Sequence, residues 1–186
     1  MCLSFLNGLV FFFFCSPQYS HSFCRTLSEN VVLRHNQFSG SIRDAFGAWT
    51  NLDFFDVAHN NFTGLIPPSL FDVSTLRIAY LHYNNFQGSL PSNYGNPPLL
   101  RDLYVNRNKL SGPVPGISPN QLQNLTEFLL HDNDFTGQMP ASVCSLRTNA
   151  KLEDLFADCN PPRSPQISCS CCNQCFPLPF QFQFSN

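Results

Sequence analysis

Side chains that could recognise a ligand recur in a regular order through the middle of this 186-residue chain. Aromatic rings with a polar tip offer a rigid contact area, and nearby amide, imidazole and carboxylate groups can exchange hydrogen bonds with a peptide or a sugar. Such rings also pack sideways on one another in sheets, so sheet stabilisation is the alternative interpretation. The candidate ligand-binding residues are Asp56, Tyr80, His82, Tyr104, Asn106, Leu129, His131 and Phe156.

The motifs give no support for catalysis. The chain contains no GxSxG, HExxH, Walker or protein-kinase motif. Asp56 and Asp102 could form a carboxylate pair, but surface carboxylates without an apolar pocket around them usually serve as solvated groups. The sequence therefore predicts a protein that is not an enzyme, and it implies no cofactor and no metal.

Asparagine recurs at a nearly constant interval, with similar neighbours each time. The positions are Asn36, Asn60, Asn84, Asn108, Asn133 and Asn160, separated by 24, 24, 24, 25 and 27 residues. A fixed period of roughly 20 to 50 residues is the mark of a protein built from stacked repeats. It predicts five full repeats and a partial sixth in residues 28–160, with separate segments at 1–27 and 161–186.

The spacing within one repeat predicts a strand followed by a turn. Phe55 and Val57 are separated by one residue, so they face the same side of a short strand. Neighbouring copies would pair as parallel strands about 4.8 Å apart. The asparagine at the turn can bond backbone groups that would otherwise be unpaired, and Gly64 permits a backbone angle that other residues resist. The candidate ligand-binding residues then line one face of the sheet.

This repeat resembles that of a known family. The second copy reads Leu52, Phe55, Val57, Asn60, Phe62, Gly64, Ile66 and Pro67, in the pattern LxxLxLxxNxFxGxIP. The pattern is similar to the plant-type extracellular leucine-rich repeats of receptor-like and polygalacturonase-inhibitor-like proteins. The resemblance implies an α/β repeat solenoid, which is a right-handed curved superhelix with a parallel β-sheet on its concave face and 3₁₀ or extended segments behind.

Four of the histidines lie one or two residues before an asparagine of the period: His35, His59, His82 and His131. A metal ion needs ligands that converge within about 2 Å of it, whereas His82 and His131 lie two strands, about 10 Å, apart. A metal site is therefore not expected. Because an unperturbed histidine titrates near pH ~6.5, we predict that ligand binding changes between mildly acidic and neutral pH, which binding curves across that range test.

Six of the nine cysteines lie near or beyond the last repeat: Cys144, Cys159, Cys169, Cys171, Cys172 and Cys175. A dense, even set at the end of a solenoid predicts a disulfide-linked cap, with its connectivity open. The alternative is zinc, because Cys172 has CxxC spacing to both Cys169 and Cys175. Disulfides are favoured, since zinc sites usually use two separated pairs, and the cluster also resembles the cysteine-rich ends of some algal members of the family.

Two sequons, at Asn61 and Asn124, would accept glycans in a secreted protein. Residues 1–27 contain an apolar run of signal-peptide length, but no Lys or Arg precedes that run. A cleaved signal and a wrongly started chain are therefore both open interpretations.

The start of the solenoid departs from the family pattern. No paired-cysteine motif precedes the first repeat, which predicts that Val31, Leu33 and Phe38 have little to cover them. The hypothesis that follows is a longer ectodomain of which this chain is the carboxyl-terminal part. Transcript sequencing that places the start codon here, with no repeats upstream, would contradict it.

Composition and resemblance together predict the function. A net charge of −2, with 12% charged residues, argues against nucleic-acid binding, which relies on clustered Lys and Arg. We expect a module, secreted or on the extracellular face of the plasma membrane or cell wall, that recognises a protein, peptide or glycan within a receptor-like protein in signalling or defence. The alternatives are a secreted inhibitor of a wall-degrading hydrolase and a structural or adhesive surface protein. Membrane association is expected only if a longer chain exists.

Overall fold

The computed structural model describes residues 2–6, 9–13, 29–159 and 167–176. The periodic asparagines are called the ladder asparagines below; the last of them, Asn160, and parts of the predicted segments 1–27 and 161–186 lie outside the described residues. Within the described ranges, no helix is long and apolar enough to cross a bilayer.

Two parallel sheets run along the solenoid. An antiparallel hairpin, β1 (Cys2–Leu6) and β2 (Leu9–Phe13), comes first. The odd-numbered strands that follow form the concave sheet: β3 (Asn30–Val32), β5 (Phe54–Asp56), β7 (Ile78–Tyr80), β9 (Asp102–Tyr104), β11 (Glu127–Leu129), β13 (Asp154–Ala157) and β15 (Gln174–Cys175). The even-numbered strands form the second sheet: β4 (Ser39–Ser41), β6 (Asn61–Gly64), β8 (Asn85–Gly88), β10 (Lys109–Pro113), β12 (Asp134–Gln138) and β14 (Ile167–Ser168). The predicted solenoid with its concave parallel sheet is confirmed.

The second sheet is the main departure from the expected 3₁₀ or extended segments. In β6 the buried Phe62 lies between the exposed Asn61 and Thr63, which is the alternation of a half-buried strand. The expected 3₁₀ turns do occur, at Phe46–Ala48 and Pro68–Asp72. Near the carboxyl-terminal end, two single-turn helices take this place, α1 (Ala141–Cys144) and α2 (Leu146–Asn149).

Each ladder asparagine from the second to the fifth repeat joins two repeats. The Asn84 Nδ2 donates to the carbonyls of Val57 (2.9 Å) and Leu81 (3.2 Å), and its Oδ1 accepts from the N–H of Phe62 (3.0 Å). Asn60, Asn108 and Asn133 make the corresponding set of bonds. These side chains satisfy buried backbone groups that the strands leave unpaired.

The residue before each of the first five ladder asparagines has a left-handed backbone. The φ angles are 56°, 53°, 54°, 55° and 56° at His35, His59, Tyr83, Arg107 and Asp132. In this conformation the N–H of Tyr83 donates to the carbonyl of Asn106, and that of Arg107 to the carbonyl of His131. The left-handed turn therefore ends each concave strand while keeping its backbone bonded to the next repeat.

Two glycines of the second sheet allow backbone strain and side-chain crowding to be separated. Gly88 and Gly112 have φ of +78° and +79°; a Cβ at Gly88 would lie 2.5 Å from Leu65 Cδ2, whereas one at Gly112 would meet nothing within 4 Å. Leu65 is 62% exposed, so its side chain can turn away. We expect Gly88→Ala and Gly112→Ala to destabilise the protein equally, by about 1–2 kcal/mol, through strain alone. Urea unfolding tests this, and a much larger loss in Gly88→Ala would contradict it.

The apolar core is continuous from the first repeat to the cap. Phenylalanine rings stack along it, with 6.3 Å between the centroids of Phe38 and Phe62 and again between those of Phe62 and Phe86. Val31 and Leu33 are only 1% and 8% exposed, and Phe38 is half-buried, so the prediction that the first repeat lacks cover is wrong. At this end of the second sheet, β2 runs beside β4.

All six cysteines of the carboxyl-terminal cluster form disulfides, and the open connectivity is resolved as Cys144–Cys171, Cys159–Cys175 and Cys169–Cys172. The bridged residues are 27, 16 and 3 positions apart. Because chain-entropy stabilisation grows with loop length, the first bridge contributes about 3.5 kcal/mol and the last only about 1.6 kcal/mol. The cap is therefore held mainly by the two long-range bridges.

Candidate functional site

The register of the concave sheet aligns the candidate residues across the repeats. Asp56 pairs with Tyr80, Tyr80 with Tyr104, Tyr104 with Leu129, and Leu129 with Phe156. This row crosses five strands, so it spans about 19 Å at the usual strand spacing. His82, Asn106 and His131 follow two residues after the row and form a second, parallel row.

Tyr80 and Tyr104 form the aromatic centre of the face. Their rings stack with centroids 4.5 Å apart and an interplanar angle of 27°, and both side chains are half-buried. The Tyr80 hydroxyl donates to Asp102 Oδ2 at 3.4 Å, and the Tyr104 hydroxyl donates to Glu127 Oε2. Burial and then the nearby carboxylates raise the pKa of both phenols, so they remain protonated donors at neutral pH.

His82 lies against these rings, with its centroid 5.5 Å from that of Tyr104 and 5.8 Å from that of Tyr80. Burial, followed by repulsion from His59 and His35, lowers the pKa of His82 to about 4. Burial likewise lowers the pKa of His59 and His131. The His82 ring is therefore neutral from mildly acidic to neutral pH. The pH dependence of ligand binding expected from the histidines stays a prediction.

A buried polar pair continues the second row. Asn106 Nδ2 lies 3.3 Å from His131 Nε2, and the two residues are 5% and 8% exposed. The His131 ring also stacks on Phe176, with centroids 4.1 Å apart, while Phe156 lies 5.8 Å from Phe176. The cap therefore places a ring on the concave face at Phe176, which the repeat period could not indicate because this residue lies beyond the last repeat.

Asp56 is also more enclosed than its position in the repeat suggested, with only 1% of its surface exposed. Its Oδ1 accepts the N–H of Ala58 at 3.1 Å, and Arg34 Nη1 lies 3.8 Å from its Oδ2. Burial raises the pKa of Asp56, against the opposing effects of Ala58 and Arg34. The candidate residues differ in exposure: Asp56, Asn106 and His131 are buried, whereas Tyr80, His82, Tyr104, Leu129 and Phe156 are half-buried.

Unpaired polar atoms are concentrated on this face. Among the described residues, the buried side-chain nitrogen and oxygen atoms without a hydrogen-bond partner are Asp56 Oδ2, His82 Nδ1, Asn106 Oδ1 and His131 Nδ1. A buried polar atom left unpaired costs about 1–3 kcal/mol. All four belong to the two candidate rows, so the cost is confined to the surface that the sequence indicated for recognition.

A third row, absent from the sequence-based candidates, lies at the left-handed residues that follow the second row. His35 stacks on His59 (4.3 Å) and His59 on Tyr83 (4.1 Å), by ring centroids. The Arg107 guanidinium lies 4.5 Å from the centre of the Tyr83 ring, and its Nε donates to Asp132 Oδ2 at 3.0 Å. These residues share one position in the repeat, directly before the ladder asparagine. The sequence could have indicated the row by that shared position, but the alternation of strand residues does not extend to it.

Known proteins share the repeat and the fold of this chain. A model described as Leucine Rich Repeat matches residues 51–73. The ectodomain of the plant membrane receptor kinase GASSHO1/SCHENGEN3 from Arabidopsis thaliana, in complex with CASPARIAN STRIP INTEGRITY FACTOR 2, is 34% identical over 69% of this chain, with a TM-score of 0.61. The PEPR1–AtPEP1 structure is 33% identical over 69% of this chain, with a TM-score of 0.64. The chain belongs to the plant-type extracellular leucine-rich-repeat family.

A third leucine-rich-repeat structure is that of the Arabidopsis receptor kinase HAESA with the peptide hormone IDA and the co-receptor SERK1, which is 29% identical over 64% of this chain, with a TM-score of 0.54. A search of curated protein sequences gave no match. The chain spans 15%, 18% and 19% of the GASSHO1/SCHENGEN3, PEPR1 and HAESA chains, respectively.

A groove of about 520 Å³ follows the edge of the leucine-rich-repeat sheet where the concave strands begin. Its apolar part includes Phe54 and Ile78, and its cations are Arg77, Arg101 and Lys151. Acidic neighbours pair with both arginines: Arg77 Nε lies 3.3 Å from Asp53, and Arg101 binds Asp102 at 2.8 Å. The groove therefore adds apolar surface to one side of the aromatic rows with little net charge.

The two sequons differ in their surroundings. Asn61 is exposed on β6 of the second sheet. The Asn124 amide borders the groove, donates to the carbonyl of Pro98 at 3.0 Å and accepts from Lys151 Nζ at 2.9 Å. Glycosylation at either residue stays a prediction. In the described part of the chain, no group of three or more His, Cys, Asp and Glu side chains is placed to hold a metal ion.

Proposed function

We propose that this chain is an extracellular recognition module that binds a peptide in extended conformation along the two rows of the concave face. It acts within a receptor-like protein, by binding and without catalysis. The observation that carries the proposal is the stacked Tyr80–Tyr104 pair, whose half-buried rings lie in register at the centre of the concave face. An extended peptide can lay its side chains against such rings while its backbone N–H and C=O groups bond polar groups along the rows.

The relatives support a peptide as the ligand. The HAESA structure contains the peptide hormone IDA, and the GASSHO1/SCHENGEN3 structure contains CASPARIAN STRIP INTEGRITY FACTOR 2. Because this chain covers only part of each relative, its ligand and any co-receptor are inferred from its own residues. A receptor-like role places the module outside the cell, in agreement with its three disulfides in the described part of the chain.

The face favours a peptide rich in hydrogen-bond donors. Asp102, Glu127 and Asp154 are paired in register on neighbouring strands. In the described residues, Arg101 forms an ion pair with Asp102, whereas Glu127 accepts from Tyr104 and Asp154 accepts from the Asn173 amide. Carboxylates held only by neutral donors attract cations, and a lysine or arginine can also lie on a tyrosine ring.

Selection from a display library of random 12-residue peptides tests the proposal. We expect enriched peptides with lysine or arginine next to an apolar residue. Tyr104→Ala should weaken their binding by about 30-fold or more, because a central aromatic residue commonly carries about 2 kcal/mol or more of binding energy. Gln87→Ala, which changes an exposed residue of the second sheet, is the matched control and should bind normally. Isothermal titration calorimetry measures both.

Three outcomes would count against the proposal in different ways. Enriched peptides that bind Tyr104→Ala as well as the parent protein would place the site elsewhere. Enrichment of acidic peptides that bind the same face would support the face as the binding site but contradict a ligand rich in hydrogen-bond donors. Inhibition of a secreted hydrolase, without any peptide enrichment, would instead favour the inhibitor role.

A further inference from the structure

Two disulfides of the cap touch each other. Cys144–Cys171 ties α1 to the cap, and Cys169–Cys172 closes a step of three residues. The sulfur atoms of Cys169 and Cys171, which belong to different bridges, are 3.8 Å apart. Two sulfur atoms at this distance are in van der Waals contact, which is the starting position for one to attack the other.

The sulfur cluster lies at the edge of the core and within reach of small molecules. Cys144, Cys169, Cys171 and Cys172 are all half-buried and pack against the buried core residues. Residues next to the cluster, such as Ser170 and Asn173, are exposed. The Cys169–Cys172 bridge closes the shortest loop of the three, so the chain entropy that protects it against reduction is the smallest.

We propose that the cap is a thiol–disulfide exchange site whose substrate is a dithiol reductant. A thiolate of the dithiol attacks Cys172 Sγ and releases Cys169 as a thiolate; the second thiol of the dithiol then releases Cys172. The dithiol leaves as an oxidised cyclic disulfide, and its two hydrogens remain with the protein as protons on the two cysteine sulfurs.

The second step stays within the protein. The Cys169 thiolate attacks Cys171 Sγ, so that a Cys169–Cys171 bond forms and the Cys144–Cys171 bond breaks. Cys144 leaves as a thiolate and takes up a proton, so this step needs no further electron donor. The product has free thiols at Cys144 and Cys172, and α1 is no longer tied to the cap.

The exchange releases α1 while leaving the concave face in place. Cys159–Cys175 holds β15 against β13, and its sulfur atoms are outside the reacting pair. Phe176, which stacks on His131, follows this bridge directly. The proposal is therefore independent of peptide binding: it concerns the back of the last repeat, where α1 packs.

Limited reduction of the intact chain tests the site. The protein is treated with one equivalent of dithiothreitol, trapped with iodoacetamide and mapped by tandem mass spectrometry. We expect label on Cys144 and Cys172, a Cys169–Cys171 bridge, and an intact Cys159–Cys175 bridge. Label confined to Cys169 and Cys172, with Cys144–Cys171 intact, would overturn the exchange step. Label first on Cys159 or Cys175 would overturn the site itself.

A pair of single substitutions isolates the attacking sulfur. Cys172→Ser leaves the Cys169 thiol beside Cys171, so Cys144 should be labelled without any dithiol. Cys169→Ser removes the attacking sulfur, so Cys172 should be labelled and Cys144 should not be labelled. An intact Cys159–Cys175 peptide in both variants reports that the cap has folded. Equal labelling of Cys144 in the two variants would contradict the assigned attack.

Discussion

Asn84→Ala is expected to lower the free energy of unfolding by about 4 kcal/mol, the largest effect of any single substitution considered for this chain. The asparagine is 8% exposed and bonds Phe62, Val57 and Leu81 through their backbone groups. Alanine leaves the buried N–H of Phe62 without this partner, at about 1–3 kcal/mol. The carbonyls of Val57 and Leu81 keep Asn60 and Asn108 as donors but each lose one hydrogen bond, at about 1 kcal/mol each, and a small cavity is added. Urea-induced unfolding followed by tyrosine and tryptophan fluorescence measures the loss.

Asn51→Ala is the matched control, because it removes the same side chain from an exposed turn. It should change stability by less than about 0.5 kcal/mol. If Asn84→Ala lowered the free energy of unfolding no more than this control, the ladder asparagines would not contribute to stability. The apolar core alone would then hold the repeats together.

Asp158 is expected to make the protein less stable as the pH rises from about 4 to about 7, by roughly 2–3 kcal/mol. Burial raises its pKa from 3.8 to about 6, although it accepts the N–H groups of Asp132 (2.9 Å) and Asn133 (3.1 Å). A carboxyl whose pKa is raised on folding binds its proton more tightly in the folded state. Its stabilising contribution is therefore complete below the unfolded pKa and is lost as the pH rises through the folded pKa.

Asp158→Asn should flatten this pH dependence while lowering stability overall, because an amide offers one acceptor where the carboxylate offers two. Glu153→Gln, at an exposed position directly before β13, is the control and should keep the slope of the parent protein. Thermal unfolding at a series of pH values measures both. If Asp158→Asn left the dependence of stability on pH unchanged, groups other than Asp158 would be responsible for it.

Asp158 shows how a solenoid ends its backbone bonding. In the preceding repeat, the N–H groups of Arg107 and Asn108 donate to the backbone carbonyls of His131 and Asp132. After the last full repeat, the Asp158 carboxylate takes the place of such carbonyls for Asp132 and Asn133. One side chain thus satisfies two backbone donors where the regular stacking stops.

The asparagine period predicted the fold because each repeat position has a fixed phase relative to a strand. That phase placed Tyr80 opposite Tyr104 and Leu129 opposite Phe156, and the structure has this register. It also separated the inward Phe55 and Val57 from the outward rows, and both residues are fully buried. Because the parallel strands pair in register, residues at the same position of successive repeats lie side by side in the sheet. The period in the sequence was therefore sufficient to predict which residues share a row.

Side-chain burial across the face could not be read from the period. An outward position is exposed only if its neighbours are small; Asp56 is covered beside Tyr80 and Arg34, and His131 lies beneath Phe176. The second sheet was missed for a related reason. Its strands carry Gly64 and Gly88 at positive φ, and glycine within a run argues against a strand unless the stacked neighbours supply the hydrogen bonds.

Photo-cross-linking shows which face of the solenoid a bound peptide contacts. A selected peptide carrying benzophenone is bound to the intact chain, irradiated and mapped by mass spectrometry. We expect adducts within 78–82 and 102–106, the segments that contain Tyr80, His82, Tyr104 and Asn106. Adducts confined to β8 or β10 of the second sheet would contradict it, because recognition would then use the opposite row of strands.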